Sequence, residues 1–327
     1  MSVVDVHTHM LSHAWLDRYK KYGPPRYTIA PIKGGYDAMH EHGAPFLTIT
    51  PTMLDYAARI KAMDEVGVDV AIVSIGGPSC YFGGEEVSLG TARIINDDMA
   101  AAQRQYPDRI RFLATLPWQY PNVAVAELER ALSLGAVGVM VLANIQGAHL
   151  TDPAMAPIWQ AIDDRALPVL VHPTNPPGLD EMAMQKYNLI ATVGFVFDTT
   201  LAITRMVMSG FLDKYPNLKL IAAHGGGTIP YINKRIDIFH EYMATSRVDI
   251  ETPPSEYYAR IYYDAVVYQM NALAACIDIG GPSHVLYGSD FPHVTGLMRP
   301  LLAQVDSLPK DQRDQIRGKN AEQIFKL

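Results

Sequence analysis

The sequence of 327 residues predicts a (β/α)8 barrel, and two observations support this fold class. First, short and nearly continuous apolar runs alternate with segments whose apolar residues recur at helical spacing, as parallel strands and their covering helices require. Second, the first apolar run ends in His-Thr-His rather than in a Gly-rich turn. An open doubly wound sheet, the rival fold, has fewer strands and usually places a Gly-rich turn there.

Each predicted strand is a short run rich in β-branched or other apolar residues. These runs are Val3–Val6, Val70–Ile75, Ile110–Thr115, Val137–Leu142, Val169–Val171, Leu218–Ala223, Ile261–Asp264 and Val285–Tyr287. The predicted helices are Met53–Val66, Ser88–Gln105, Asn122–Leu134, Ala154–Arg165, Thr199–Tyr215, Ile229–His240, Gln269–Ile279 and Lys310–Phe325. Thr52 and Asp55 resemble an N-terminal capping box for the first helix. The alternation favours a single barrel domain over residues 1–327.

Two long segments interrupt the alternation, one after strand 1 and one after strand 5. They span Leu11–Pro51 and Thr174–Phe197. Long insertions at the carboxyl ends of barrel strands usually form the substrate pocket, so we expect these two to do so.

Composition and charge exclude several classes of function. The net charge of −7 argues against binding to nucleic acid or to an anionic membrane. No apolar stretch approaches the roughly 20 residues of a spanning helix, and the N-terminus lacks the features of a signal peptide. The two cysteines form no disulfide framework, which favours a reducing cytoplasm.

Polar residues that can bind metal follow four of the predicted strands. His7 and His9 project to the same side of strand 1, because residues two apart in a strand share a face. His172, His224 and Asp290 follow strands 5, 6 and 8, whose ends meet at one rim in a barrel. Each of these residues alone could be an ordinary polar residue at a strand end. Together they predict a metal site.

Several motifs resemble those of the amidohydrolase superfamily, in its decarboxylase-like branch, over the whole chain. They are VDVHTHM, INDDMA, the LVHP strand, HGGG and GSDFPH. The pattern is similar to that of aminocarboxymuconate-semialdehyde decarboxylase and related aromatic-acid decarboxylases. The resemblance implies a homodimer, and it makes Arg235 an interface or structural residue as well as a candidate substrate contact.

The resemblance also implies which residues hold the metal. His7, His9, His172 and Asp290 would bind one divalent ion, with Zn2+ expected and Mn2+ as the alternative. His224 would act as acid and base beside the ion, and Asp290 would also take part in catalysis. Binuclear relatives use a modified lysine from strand 4. That strand has no lysine here, so one ion is the simpler interpretation.

The substrate pocket is expected to be apolar. Relatives that act on dicarboxylic acids tend to carry an arginine before the first helix, whereas this chain has none between Phe46 and Thr50. The expected substrate is therefore a less charged aromatic or unsaturated carboxylic acid. Candidate contacts are Phe46, Trp118, Phe195, Phe197, Arg235 and His293; Trp118 could instead be a core residue and His293 a surface histidine.

We therefore predict a non-oxidative decarboxylase of a small carboxylic acid. The main alternative is a hydrolase or hydratase (of a lactone, an amide, a C–C bond or a double bond) that uses the same metal-bound water. A barrel that binds metal or ligand without turnover is the third hypothesis.

Overall fold

The computed structural model describes residues 2–327 and contains the predicted barrel. Its eight parallel strands are β1 (Val4–His9), β2 (Val70–Ser74), β3 (Ile110–Thr115), β4 (Gly138–Leu142), β5 (Pro168–His172), β6 (Lys219–Ala222), β7 (Tyr262–Asp264) and β8 (Val285–Leu286). Each strand pairs with the next in chain order. The Val6 amide donates to the Tyr287 carbonyl at 3.0 Å, and Thr8 forms a parallel bridge with Phe291. These contacts close the ring and exclude the open sheet.

Helices cover the outside of the ring. They are His13–Tyr22, Tyr56–Val66, Glu85–Gln105, Pro121–Ser133, Ala156–Asp163, Phe195–Met208, Phe211–Lys214, Ile229–Tyr242, Pro254–Tyr258, Met270–Gly280, Met298–Asp306, Lys310–Asp314 and Asn320–Phe325. The predicted capping box is wrong. Asp55 itself caps the helix Tyr56–Val66 by accepting hydrogen bonds from the amides of Ala57 and Ala58. Thr52 lies in a separate 3-10 turn that precedes the cap.

The insertion after β1 contains more regular structure than the sequence predicted. After the helix His13–Tyr22 it forms an antiparallel sheet of three strands, which are Tyr27–Pro31, Asp37–Glu41 and Ala44–Thr48. The buried carboxylate of Glu41 accepts a hydrogen bond from Asn175, in the insertion after β5. Arg26 pairs with the same carboxylate at 2.6 Å. The two insertions are therefore joined by a buried polar contact.

One helical stretch, Ile190–Met208, is longer and more apolar than the sequence analysis allowed. Its 19 residues are long and apolar enough to cross a membrane on length and composition alone. Half of its most apolar part is buried inside the protein, and a core helix of a protein that spans no membrane can have the same length and composition. The statement that no stretch approaches this length was therefore wrong.

Candidate active site

Five side chains from four parts of the barrel meet at the carboxyl ends of the strands. The Nε2 atoms of His7 and His9 lie 3.1 Å apart, and Asp290 Oδ1 lies 3.4 and 3.2 Å from them. The His172 ring centroid is 4.8 Å from that of His9. His224 Nε2 lies 3.6 Å from Asp290 Oδ2. The structure thus brings together every residue that the sequence predicted for the metal site and for acid–base chemistry.

The hydrogen bonds of the imidazoles divide the histidines into two kinds. Three of them use Nδ1 to contact a fixed protein oxygen. His7 contacts Asp264 at 2.5 Å, His9 contacts Ser74 Oγ at 3.3 Å and His172 contacts the Pro173 carbonyl at 2.7 Å. Their Nε2 atoms are thereby left for the centre of the site. In contrast, Nδ1 of His224 has no hydrogen-bond partner among the described residues 2–327.

The donor set fits a divalent cation. His172 Nε2 and Asp290 Oδ1 are buried and have no hydrogen-bond partner within residues 2–327. Ligand atoms of His7, His172, His224 and Asp290 all lie within 4.8 Å of one another. His9, Asp290 and His293 form a second, overlapping group of this kind. Buried polar atoms normally have partners, so a cation is the group that would satisfy this cluster.

The electrostatics of the cluster also favour a cation. Burial, together with the neighbouring histidines, holds the pKa of His172 well below its usual range, and burial lowers the pKa of His9 to about 3. Burial would also lower the pKa of His7, but the adjoining Asp264 carboxylate raises it to about 10. Burial would raise the pKa of Asp290, yet the surrounding histidines hold it well below its usual range. His9 and His172 are therefore neutral and Asp290 is ionised, which are metal-binding forms, whereas a cation would have to displace one proton from His7.

Two of the predicted site residues have a backbone conformation that L-amino acids rarely adopt. His224 has φ 54° and Asp290 has φ 58°, in the left-handed region. The three glycines after His224 continue this turn with positive φ. They pack closely against neighbouring backbone, because a Cβ on Gly227 would lie 2.2 Å from the Val196 carbonyl oxygen. Strained conformations of this kind persist only where surrounding contacts fix them, and they concentrate at functional sites.

Two buried charged residues that the sequence analysis missed support the site from behind. The Asp5 carboxylate accepts hydrogen bonds from the amide and the hydroxyl of Ser289, at 3.0 and 2.5 Å. Ser289 precedes Asp290, so this contact fixes the loop that carries it. Arg59 is fully buried and donates to Thr8 Oγ1 at 2.7 Å and to the Phe291 carbonyl at 3.3 Å. Arg59 therefore ties β1 to the same loop.

A cavity of about 980 Å³ opens beside the cluster, and the two insertions form much of its wall. Of the predicted substrate contacts, Phe46, Phe195 and His293 line it, together with His172, His224 and Asp290. Three predicted contacts lie elsewhere. Trp118 is fully buried with its ring centroid 4.8 Å from that of Trp159, Phe197 is 54% exposed, and Arg235 lies over the Phe239 ring on the surface.

The charge of the cavity wall matches the expectation from the sequence. Among residues 2–327, no arginine lines the cavity, and Lys33 is the only lysine that does. Lys33 is exposed, in the turn between the first two strands of the small sheet. The remaining wall is mainly apolar, with Leu47, Val196 and Val267 among its members.

Comparison with known proteins identifies the family. The amidohydrolase family pattern matches residues 4–327, and the chain belongs to this family. It is 28% identical to 2-amino-3-carboxymuconate-6-semialdehyde decarboxylase of Dictyostelium discoideum, over 99% of this chain and 91% of the relative. It is 29% identical to gamma-resorcylate decarboxylase of Polaromonas sp. strain JS666, over 82% of this chain and 86% of the relative.

A solved structure gives the same fold. The dihydroxybenzoic acid decarboxylase from Polaromonas sp. JS666, with bound manganese and the inhibitor 2-nitroresorcinol, superposes with a TM-score of 0.83. The match covers 100% of this chain and 97% of that one at 24% identity. The likeness supports the barrel fold that the strand pairing shows.

Proposed function

We propose that this chain is a metal-dependent, non-oxidative decarboxylase of a small aromatic carboxylic acid. The observation that carries the proposal is the cluster at the barrel mouth, where the imidazoles of His7, His9 and His172 and the Asp290 carboxylate converge beside a largely apolar cavity. The named relatives, which are decarboxylases, support the reaction class. They do not favour the hydrolase or hydratase alternative, and no feature of the site singles it out.

His7, His9, His172 and Asp290 are the proposed ligands of the ion. The three histidines orient Nε2 toward the centre through their Nδ1 contacts, a pattern typical of metal-binding histidines. The ion would supply a positive charge that binds the substrate carboxylate and stabilises negative charge developing next to it. Manganese in the related decarboxylase supports a divalent ion and makes Mn2+ as strong a candidate as Zn2+.

His224 and Asp290 are the proposed acid–base groups. Decarboxylation breaks the bond between the ring carbon and the carboxyl carbon, leaves the electron pair on the ring carbon and adds one proton there. The imidazole of His224 faces both the cavity and Asp290, with 14% of its side chain exposed. Because its Nδ1 atom is not committed to a protein acceptor, His224 can exchange a proton without losing a structural hydrogen bond.

The proposed substrate carries one carboxylate on an aromatic ring with few further charges. Phe46 and Phe195 offer apolar walls for the ring, and His293 is placed to contact a polar substituent near Asp290. A second carboxylate deep in the cavity would find no arginine within residues 2–327, and its desolvation would be uncompensated. Monocarboxylic hydroxybenzoates should therefore react better than their dicarboxylic counterparts.

Metal analysis and CO2 release test this proposal. The protein loaded with Mn2+ or Zn2+ should release CO2 from at least one of a panel of hydroxybenzoic acids. His224→Ala should keep its metal and lose about 10²- to 10⁴-fold in kcat, whereas His172→Ala should lose metal. His149→Ala, which changes an exposed histidine, is the matched control. A fully loaded protein that releases CO2 from no acid in the panel would count decisively against the proposal.

We extend the proposal to assembly and location. The whole chain, residues 1–327, is proposed to be one barrel domain that forms a homodimer in the cytoplasm. The helix Ile229–Tyr242 supports the dimer, since it exposes three aromatic side chains, Tyr231 at 91%, Phe239 at 42% and Tyr242 at 73%. Exposed aromatic side chains are enriched at protein interfaces. Light scattering should give twice the mass of the chain, and a monomer would refute this part.

A further inference from the structure

Asp264, the last residue of β7, contacts both halves of the proposed chemistry. Its carboxylate is fully buried. Oδ2 lies 2.5 Å from His7 Nδ1 and accepts the His224 amide at 3.0 Å. Oδ1 accepts the amides of Gly225 at 2.9 Å and Val266 at 3.1 Å. One carboxylate therefore joins a proposed metal ligand to the backbone of the proposed acid–base residue.

The contact with His7 determines which ring nitrogen can bind metal. A carboxylate accepts hydrogen bonds and donates none, so it keeps a proton on Nδ1 of His7. The lone pair of the neutral ring is then on Nε2, which lies 3.1 Å from His9 Nε2 in the centre of the cluster. A group that donated a hydrogen bond to Nδ1 would move the proton to Nε2 and remove that lone pair.

The contacts with the backbone hold the turn that carries His224. His224 and Gly225 are consecutive residues with φ of 54° and 61°, and both of their amides point at the Asp264 carboxylate. Successive amides of such a turn form a concave site for an anion. The negative charge of Asp264 therefore compensates the cost of the left-handed conformation at His224.

We propose that Asp264 is a positioning residue that fixes the metal-binding tautomer of His7 and the placement of His224 at the same time. The inference rests on the proposed function, since it assumes that His7 binds the ion and that His224 acts beside it. Asp264 touches neither the cavity nor a reacting atom, because it lies behind both histidines and does not line the cavity wall.

Asp264→Asn separates this role from a general contribution to stability. The amide oxygen can replace Oδ1 and keep the contacts with Gly225 and Val266. The amide nitrogen replaces Oδ2, so it donates to His7 Nδ1 and faces the His224 amide, which is also a donor. We expect the affinity for Mn2+ to fall by about 10- to 100-fold. At saturating Mn2+, kcat should fall by about tenfold or more with KM nearly unchanged.

The matched control is Asp163→Asn at the other end of the barrel. Asp163 is also a buried aspartate, and it accepts the backbone amide of Asn217 at 2.7 Å. This variant should lower the melting temperature and leave the Mn2+ affinity within about twofold of wild type, because it touches no ligand. If the two variants lose stability alike and neither loses Mn2+ affinity, Asp264 has only a structural role and the inference fails.

The order of measurement distinguishes this inference from the proposed function. Mn2+ binding to the wild-type protein is measured first, and an absence of binding contradicts the proposed function itself. Equal Mn2+ affinities of wild type and Asp264→Asn overturn the inference alone. If Asp264→Asn does not fold, Asp264→Glu replaces it, since it keeps the charge but displaces the carboxylate by one methylene. Reduced Mn2+ affinity in that variant supports the inference, and wild-type affinity overturns it.

Discussion

Gly227→Ala should destabilise the protein far more than its small added volume suggests. Gly227 has φ 66° and ψ −118°, a combination open almost only to glycine, and strain of this kind costs about 1–3 kcal/mol. The added Cβ would also lie 2.2 Å from the Val196 carbonyl oxygen and 2.6 Å from Thr200 Oγ1. Backbone has to move to relieve this overlap, which costs a further 1–3 kcal/mol, roughly. The expected loss is about 4 kcal/mol or more.

Gly67→Ala is the matched control for this prediction. Gly67 also has a positive φ, 85°, but a Cβ there would meet no atom within 4 Å. Only the left-handed strain applies, about 1 kcal/mol. For a protein of this size 1 kcal/mol corresponds to about 1.5 °C, so we expect a melting temperature lower by about 1–2 °C for Gly67→Ala and by about 6 °C or more for Gly227→Ala. Differential scanning calorimetry measures both, and equal losses would refute the reasoning from close packing.

Three further predictions concern buried charge, bound metal and pH. Arg59→Met should cost about 1.5–3 kcal/mol, because carbonyl and hydroxyl acceptors lose a charged donor, and should lower the melting temperature by about 2–5 °C. Arg247→Met, with an exposed side chain, should change the melting temperature little, and equal shifts would contradict the prediction. Chelation should lower the wild-type melting temperature by about 4 °C, since ligand at 100 times its Kd stabilises by about 2.7 kcal/mol. Re-added Mn2+ should restore it, and His172→Ala should not respond; a wild type indifferent to chelation would contradict the proposed metal site. Burial alone would raise the pKa of Asp237. Hydrogen bonds from Ser255 and the nearby Lys234 outweigh burial, so the pKa of Asp237 lies below its usual value. Folding therefore favours the ionised form of Asp237. The stability lost in Asp237→Asn should be largest at neutral pH and disappear as the pH falls below about 4. A stability difference between wild type and Asp237→Asn that is constant with pH would contradict this prediction.

The barrel could be predicted from the sequence because its strands are covered on both faces. Segments such as Val137–Leu142 then become nearly continuous apolar runs, and the predicted bounds lie within one residue of the observed strand, Gly138–Leu142. The residues His172 and Asp290 could be predicted for the same reason, since polar residues directly after such runs stand out. Parallel topology then places them at one rim.

The small sheet after β1 could not be predicted in this way. Its strands, such as Asp37–Glu41, are short and partly exposed, and they carry polar residues and prolines that are typical of loops. Arg59 was missed for a different reason. Charged residues on helices usually face solvent, and its acceptors, Thr8 and Phe291, are 51 and 232 positions away in the chain. The available signal was its spacing of four residues from the buried Met63, which places both on one helix face.

The walls of the cavity and the cluster of histidines belong to different parts of the chain. Phe46 comes from the small sheet and Phe195 from the insertion after β5, whereas His9 and His172 end strands of the ring. Substitutions in the insertions can therefore change which acid is accepted while the reactive centre stays intact. An exchange of residues 27–48 between relatives is, on this geometry, a direct route to altered selectivity, provided that Glu41 keeps its contact with Asn175.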